Sequence, residues 1–181
     1  GHGTQTFERG VQNSCNPVFM ELGARIGADK FIEYYNAFGF RSKSGIELPG
    51  EAIGPFYTRE NFNEVELATS SFGQGPQVTP LQLISAVSAV ANGGKLLQPF
   101  LVKQLTDQEG NVVQSFETTV VREVISESTS KRMCSILESV VSEGTGKNAY
   151  IKGFRVAGKT GTSEKLPRGS NKNIASFIGF A

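Results

Sequence analysis

The sequence predicts an α/β protein of the α+β type, an antiparallel sheet flanked by helices, and three observations carry that reading. Helical signals crowd the first forty residues, strand-like runs come late and in pairs around polar turns, and a helix rich in small residues lies between the two. No internal repeat or low-complexity tract breaks the pattern.

The elements follow in order. Helices are predicted at about 5–13, 17–26 and 29–38, with Asn16 as a cap, Pro17 at the first helical position and Gly39 as the stop after "FIEYYNAF". From Gly39 to about Asn61 the chain is rich in Gly, Pro and Ser and keeps no period, so it reads as a surface excursion of the length that is usually functional or a lid. Residues 79–92 open with Thr79 as cap and Pro80 behind it, carry small and apolar residues on nearly all sides, and close at Gly93 and Gly94. They predict a buried helix. Residues 96–105 and 111–116 flank "DQEGN" as a hairpin, and 126–143 is an amphipathic helix ended by "GTG". Strands at about 154–162 and 174–181, joined by "SEKLPRGSNKN", form a second antiparallel pair.

Composition sets the outer limits. With 181 residues, 38% of them hydrophobic and 19% charged, the chain suits one domain with a real core. Eighteen basic and seventeen acidic residues leave a net charge of +1 with no Lys/Arg block, which argues against a nucleic-acid groove or an anionic membrane face. No apolar run approaches the roughly 20 residues that span a bilayer. The opening "GHGTQTFERG" lacks the layout of a signal peptide, so an export or anchoring signal is expected outside these residues. Cys15 and Cys134 make one candidate pair at most, which is no disulfide framework.

Chemistry concentrates in "RVAGKTGTSE", residues 155–164. Glycine weakens a strand interior and marks a close approach to the backbone, so Gly158 and Gly161 are expected to clear a strand edge for a ligand. "KTGT" at 159–162 should arise by chance in about one in a thousand chains of this size, whereas "SCN" at 14–16, with two fixed positions, arises in roughly half. Context gives the second motif its weight: Ser14 and Asn16 sit at a helix-to-helix junction that exposes polar side chains.

With "SCN" and "KTGT", the approach "GHGTQTFERGVQNSCNPVFMELG", the glycine loop and helix "SSFGQGPQVTPLQLISAVSAVANGG" at 70–94 and the lead-in "VVSEGTGKNA", the chain resembles the transpeptidase domain of a penicillin-binding protein. That acyl-serine family carries S-x-x-K, S-x-N and K-T-G motifs. The likeness is greatest to the class B branch used in septal or spore peptidoglycan synthesis. It implies a penicillin-binding protein transpeptidase or serine β-lactamase-like fold, incomplete at both ends, and roles for particular residues. Ser14 would relay a proton between base and leaving amine, and Asn16 would present an amide to the substrate's peptide bond. Lys159 would set positive charge by the substrate carboxylate, worth about 4 kcal/mol at close range in an effective dielectric near 20. Thr160 and Thr162 would hydrogen-bond that carboxylate, Gly161 would keep the strand bare, and the Thr162 N–H would be half of an oxyanion hole.

The departure from the pattern is that no S-x-x-K precedes Ser14. The expectation is therefore that residues 1–181 are the C-terminal part of a transpeptidase domain, lacking the upstream nucleophile segment and the last strand and helix, and inactive alone. "STSK" at 128–131 reads instead as a helix start capped by Ser128 or Thr129, and Glu143 and Glu164 read as solvated acids at element ends. No cofactor is required, although His2, the one histidine, and Cys15 are a candidate half of a structural zinc site. The implied partners are D-Ala-D-Ala stem peptides, β-lactams and, through the parent protein, a membrane glycan polymerase, with no nucleic acid. The implied location is the extracytoplasmic face of the bacterial membrane, the parent being anchored by an N-terminal segment. Two other readings stay open: a serine β-lactamase or D,D-carboxypeptidase, favoured by rapid deacylation, and a non-catalytic β-lactam-binding or cell-wall scaffold module.

Overall fold

The computed structural model describes residues 2–165, 169 and 172–181. Three helices open the chain, α1 (Phe7–Gln12), α2 (Asn16–Ile26) and α3 (Ala28–Ala37), as predicted. After the excursion come α4 (Glu64–Ser71) and α5 (Pro80–Ala91), then strands β1 (Lys95–Gln98), β2 (Gln104–Thr106), β3 (Val112–Ser115) and β4 (Thr119–Glu123). Helix α6 (Glu127–Ser142) and a short 3-10 turn at Lys147–Ala149 lead to β5 (Ala157–Glu164) and β6 (Asn173–Phe180). Of the polar connection between the last two strands, residues 166–168, 170 and 171 lie outside the described residues.

The caps explain most of the boundaries. Thr79 and Gln82 form a reciprocal capping box at the start of α5, with the Gln82 N–H donating to Thr79 Oγ1 at 3.1 Å and the Thr79 N–H to Gln82 Oε1 at 3.0 Å. Helix α4 was not predicted, yet Asn63 caps it by accepting from the Val65 and Glu66 N–H groups, a signal hidden beside the glycine loop that follows. Two cap expectations are corrected. The cap of α2 is Cys15, with no side-chain cap bond, so that Asn16 is the first helical residue. The cap of α6 is Ser126, whose Oγ accepts from the Thr129 N–H, rather than Ser128 or Thr129.

The sheet is antiparallel throughout, as three two-stranded ladders among the described residues: β1 with β4, β2 with β3, and β5 with β6. This corrects the single hairpin expected at 96–105 and 111–116. Pro99 has no N–H to give a ladder, so the first run breaks there. Its early part, Lys95–Gln98, pairs with Thr119–Glu123, and only Gln104–Thr106 pairs across the "DQEGN" turn. Asp107 Oδ1 closes that turn by accepting from the Glu109 and Asn111 N–H groups.

Two clusters organise the interior. Val11 of α1 packs with Ile136 and Val140 of α6, flanked by Phe19 and Met133. A second cluster is aromatic: Tyr35 stacks on Phe56 with ring centroids 4.1 Å apart, and Phe31, Phe40, Tyr57 and the fully buried Phe62 pack around them. The excursion, which forms no helix or strand from Phe40 to Asn63, is held to the body by these rings and by Gln82, whose Nε2 donates to the Ser42 carbonyl at 2.9 Å. Helix α5 is less buried than its composition predicts. Gln82, Ala86 and Ala89 are buried and Ser130 Oγ of α6 donates to the Val90 carbonyl at 2.6 Å, while Leu83 and Ile84 are exposed.

Candidate active site

The site forms where the junction after α1 meets β5. Helix α1 ends in a Schellman motif, with the Cys15 N–H donating to the Gly10 carbonyl at 2.9 Å and the Ser14 N–H to the Val11 carbonyl at 3.1 Å. The motif requires a positive φ at its turning residue, a place usually given to glycine. Here it is Ser14, with φ +50°, the one non-glycine residue of positive φ among the described residues. A hydroxyl has been set where the backbone would favour no side chain.

Strand β5 brings the other half. Lys159 stands opposite Ile178 in the β5–β6 ladder, with Thr160 opposite Phe177, Gly161 opposite Ser176 and Thr162 opposite Ala175. Lys159 Nζ donates to Ser14 Oγ at 2.7 Å and to the Thr160 carbonyl at 3.0 Å. Burial pulls the Lys159 pKa below its ordinary value, because the interior solvates an ammonium poorly. The two oxygens that accept from it favour the charged form. The result is a partly desolvated ammonium against a hydroxyl, an arrangement able to pass a proton and to attract a carboxylate.

The remaining predicted residues fall around this contact. Asn16 is exposed at the head of α2 and its side chain bonds no described residue, so its amide is open to a ligand. Thr162 is exposed as well, whereas the Thr160 hydroxyl lies 3.0 Å from that of Thr145. The two strand glycines divide. A Cβ on Gly158 would stand 2.3 Å from the Phe177 ring and 2.7 Å from the Ile178 carbonyl, so Gly158 is bare for the neighbouring strand and not for a ligand. A Cβ on Gly161 would meet only Ser176 Oγ, at 2.7 Å.

His2 is exposed and Cys15 buried, and among the described residues no group of three or more His, Cys, Asp or Glu side chains is placed to hold a metal ion. Both cysteines are free thiols. Ser128 and Lys131 stay on the exposed start of α6, where Lys131 pairs with Glu127 at 2.7 Å. Glu143 is exposed at the end of α6 and Glu164 ends β5. Two hollows among the described residues, about 930 and 810 Å³, lie at the α2–α4 face and beside α5 and α6, and neither is lined by Ser14 or Lys159. The motif contact defines the site instead, because an open strand edge binds without a deep cavity.

Residues 1–181 match the model of the penicillin binding protein transpeptidase domain over their whole length. The chain belongs to that family. Among curated relatives of this penicillin-binding protein segment, stage V sporulation protein D of Bacillus subtilis (strain 168) is 49% identical over 185 residues, covering 100% of this chain and 29% of the relative. The probable peptidoglycan D,D-transpeptidase PenA of Neisseria meningitidis (strain Z2491) is 34% identical, covering 96% and 29%. The fold agrees with the D,D-transpeptidase domain of a peptidoglycan glycosyltransferase from Eggerthella lenta, at TM-score 0.90 and 32% identity over 99% of this chain and 46% of that one. It agrees too with penicillin-binding protein 3 of Mycobacterium tuberculosis in complex with ampicillin, at TM-score 0.87 and 26% identity over 97% and 41%. The chain thus spans under a third of these two curated relatives. The structure brings Ser14 and Lys159 together and sets Thr145 beside Thr160, a contact that the sequence does not announce, because "EGTG" reads there only as a helix end and lead-in.

Proposed function

We propose that this segment supplies the S-x-N and K-T-G half of a peptidoglycan D,D-transpeptidase of the class B penicillin-binding protein kind. The observation that carries the reading is the 2.7 Å hydrogen bond from Lys159 to Ser14, which joins motifs 145 residues apart at one point. The nucleophilic serine of an S-x-x-K motif lies outside residues 1–181 in this reading. It attacks the carbonyl of the penultimate D-alanine of a stem peptide, an acyl-serine forms and the last D-alanine leaves. The amine of a neighbouring stem then takes the acyl group and restores the serine.

Each residue of this segment has a place in that cycle. The Ser14 hydroxyl, accepting from Lys159 and free to donate onward, passes a proton to the leaving amine. Asn16 holds the substrate's peptide bond through its open amide, and Lys159 and Thr162 hold the terminal carboxylate. The Thr162 N–H donates to the tetrahedral oxyanion, where a lost donor typically costs roughly 10² to 10³ in rate. β-Lactams acylate the same serine. The reading calls for no cofactor and places the site on the extracytoplasmic face of the membrane, where the glycan strands and a polymerase partner are found.

The test is the intact mass of the longer chain before and after incubation with benzylpenicillin. One stable adduct per chain, on a serine outside residues 1–181, is expected. Its rate of formation should fall on the order of a hundredfold or more in Ser14→Ala and Lys159→Ala, as for other groups that stabilise a transition state. A folded chain with no adduct overturns the reading.

A further inference from the structure

The turn that follows α6 touches both halves of the site. The Thr145 N–H donates to the Gln12 carbonyl at 3.1 Å, two residues ahead of Ser14, while Thr145 Oγ1 lies 3.0 Å from Thr160 Oγ1, one residue beyond Lys159. Gly144 sets the spacing between turn and junction. A Cβ there would fall 2.6 Å from the Gln12 carbonyl oxygen, 3.0 Å from the Gln12 Cα and 2.9 Å from the Val140 carbonyl oxygen, all of them backbone atoms that no rotamer change can move.

The junction is closely packed against the turn. Gln12 is buried and its Oε1 accepts from Arg9 Nη1 at 2.8 Å, and Val11 beside it packs on Val140 and Ile136. The turn itself is closed by the Gly144 and Gly146 N–H groups, which both donate to the Val140 carbonyl, at 3.1 and 3.0 Å. Gln12 is the last residue of the six-residue α1, whereas Val140 lies inside the sixteen-residue α6, so a displacement at Gly144 passes to the shorter element and the junction carrying Ser14.

We propose that the Gly144–Thr145 turn is the positioning element that keeps Ser14 at hydrogen-bond distance from Lys159. The proposal rests on the transpeptidase reading for its effect on rate but not for its geometry. Gly144 keeps the turn close to Gln12, the Thr145 N–H fixes the junction, and the Thr145 hydroxyl fixes the strand. Neither residue meets the reacting atoms; both act through Ser14 and Lys159.

Three variants of the longer chain test it: Gly144→Ala, Thr145→Val and Thr145→Ser, each followed by a crystal structure and by the rate of acylation with benzylpenicillin. In Gly144→Ala the Ser14 Oγ to Lys159 Nζ separation should exceed about 3.5 Å, the limit of a hydrogen bond, with the β5–β6 register unchanged. Acylation should slow by roughly ten- to a hundredfold, the usual effect of a misplacement near 1 Å. Thr145→Val should slow acylation comparably, and Thr145→Ser, which keeps the hydroxyl, should stay within about threefold of the parent chain. An unchanged Ser14–Lys159 separation in Gly144→Ala, or equal rates for Thr145→Val and Thr145→Ser, overturns the proposal. Should Gly144→Ala not fold, the Thr145 pair decides it. A parent chain that is never acylated refutes the transpeptidase reading alone, because the separations in the crystal structures still test the turn.

Discussion

At the scale of the residue, the cost of the site is visible in Ser14. A helix that ends in a Schellman motif wants glycine at its turning position, and an L-residue there crowds its Cβ against the backbone. Ser14 takes that conformation with φ +50° and in return places its hydroxyl on Lys159. Stability and the proposed function thus pull opposite ways at one position. Ser14→Gly should raise the stability of the chain by a few tenths to about 1 kcal/mol, whereas Ser14→Ala, which keeps a Cβ at the same φ, should not. Under the transpeptidase reading, both should slow the acylation of the longer chain. Thermal unfolding of the two variants side by side is the check, and Ser14→Gly no more stable than Ser14→Ala would mean that the backbone there is unstrained. Nothing in "QNSCNP" announces this conformation, because the glycine that normally signals it is absent.

At the scale of the element, the excursion after α3 hangs on one side chain with two tasks. Gln82 Oε1 completes the capping box of α5, while its Nε2 donates to Ser42 O at 2.9 Å and, more weakly, to Phe40 O and Gly39 O at 3.3 and 3.4 Å. Farther along, Glu51 accepts from the Ser44 N–H at 2.6 Å, so the pinned end of the excursion is also bonded to itself. Gln82→Ala removes both functions and leaves part-buried carbonyls without that donor, and should destabilise the chain by about 1–2 kcal/mol. Gln82→Glu separates them, since a carboxylate still serves the box but gives nothing to the carbonyls. Its Ser44 amide should exchange with deuterium faster than in the parent, while α5 amides keep their protection. Equal exchange at Ser44 would show that the aromatic cluster alone holds the excursion. The sequence makes the first task legible, for Thr79 and Pro80 mark the start of α5. The second depends on residues some forty positions away, which local pattern does not reach. The strand pairing failed for the same reason. Alternation finds strands, but Pro99 sends half of one run to a partner that no turn signal names.

At the scale of the whole molecule, two short motifs were legible because their residue types carry chemistry, and their meeting was not, because it depends on α1 and β5 both docking on α6. What those contacts leave open follows from the same geometry. Among the described residues β5 and β6 pair only with each other, so each keeps a free edge. The transpeptidase reading gives the β5 edge to substrate. The outer edge of β6 has no such use, yet Ile174 and Phe177 on that strand are 51% and 44% exposed, and Phe154 ahead of β5 is 65% exposed. An unpaired edge beside exposed apolar side chains is a template for pairing with another chain. Residues 1–181 produced alone should therefore associate as concentration rises in sedimentation velocity. Ile174→Lys should shift that association to several-fold higher concentration, since an edge lysine resists burial. Phe177 is the wrong residue for the purpose, because its ring covers Gly158 and its loss would disturb the strand that carries Lys159. A polypeptide of residues 1–181 that stays monomeric at high concentration would show that the edge is protected by its own twist and short length. An Ile174→Lys variant that associates as readily as the parent would move the contact elsewhere, with the exposed valines at 112, 113, 120 and 121 as the next surface to charge.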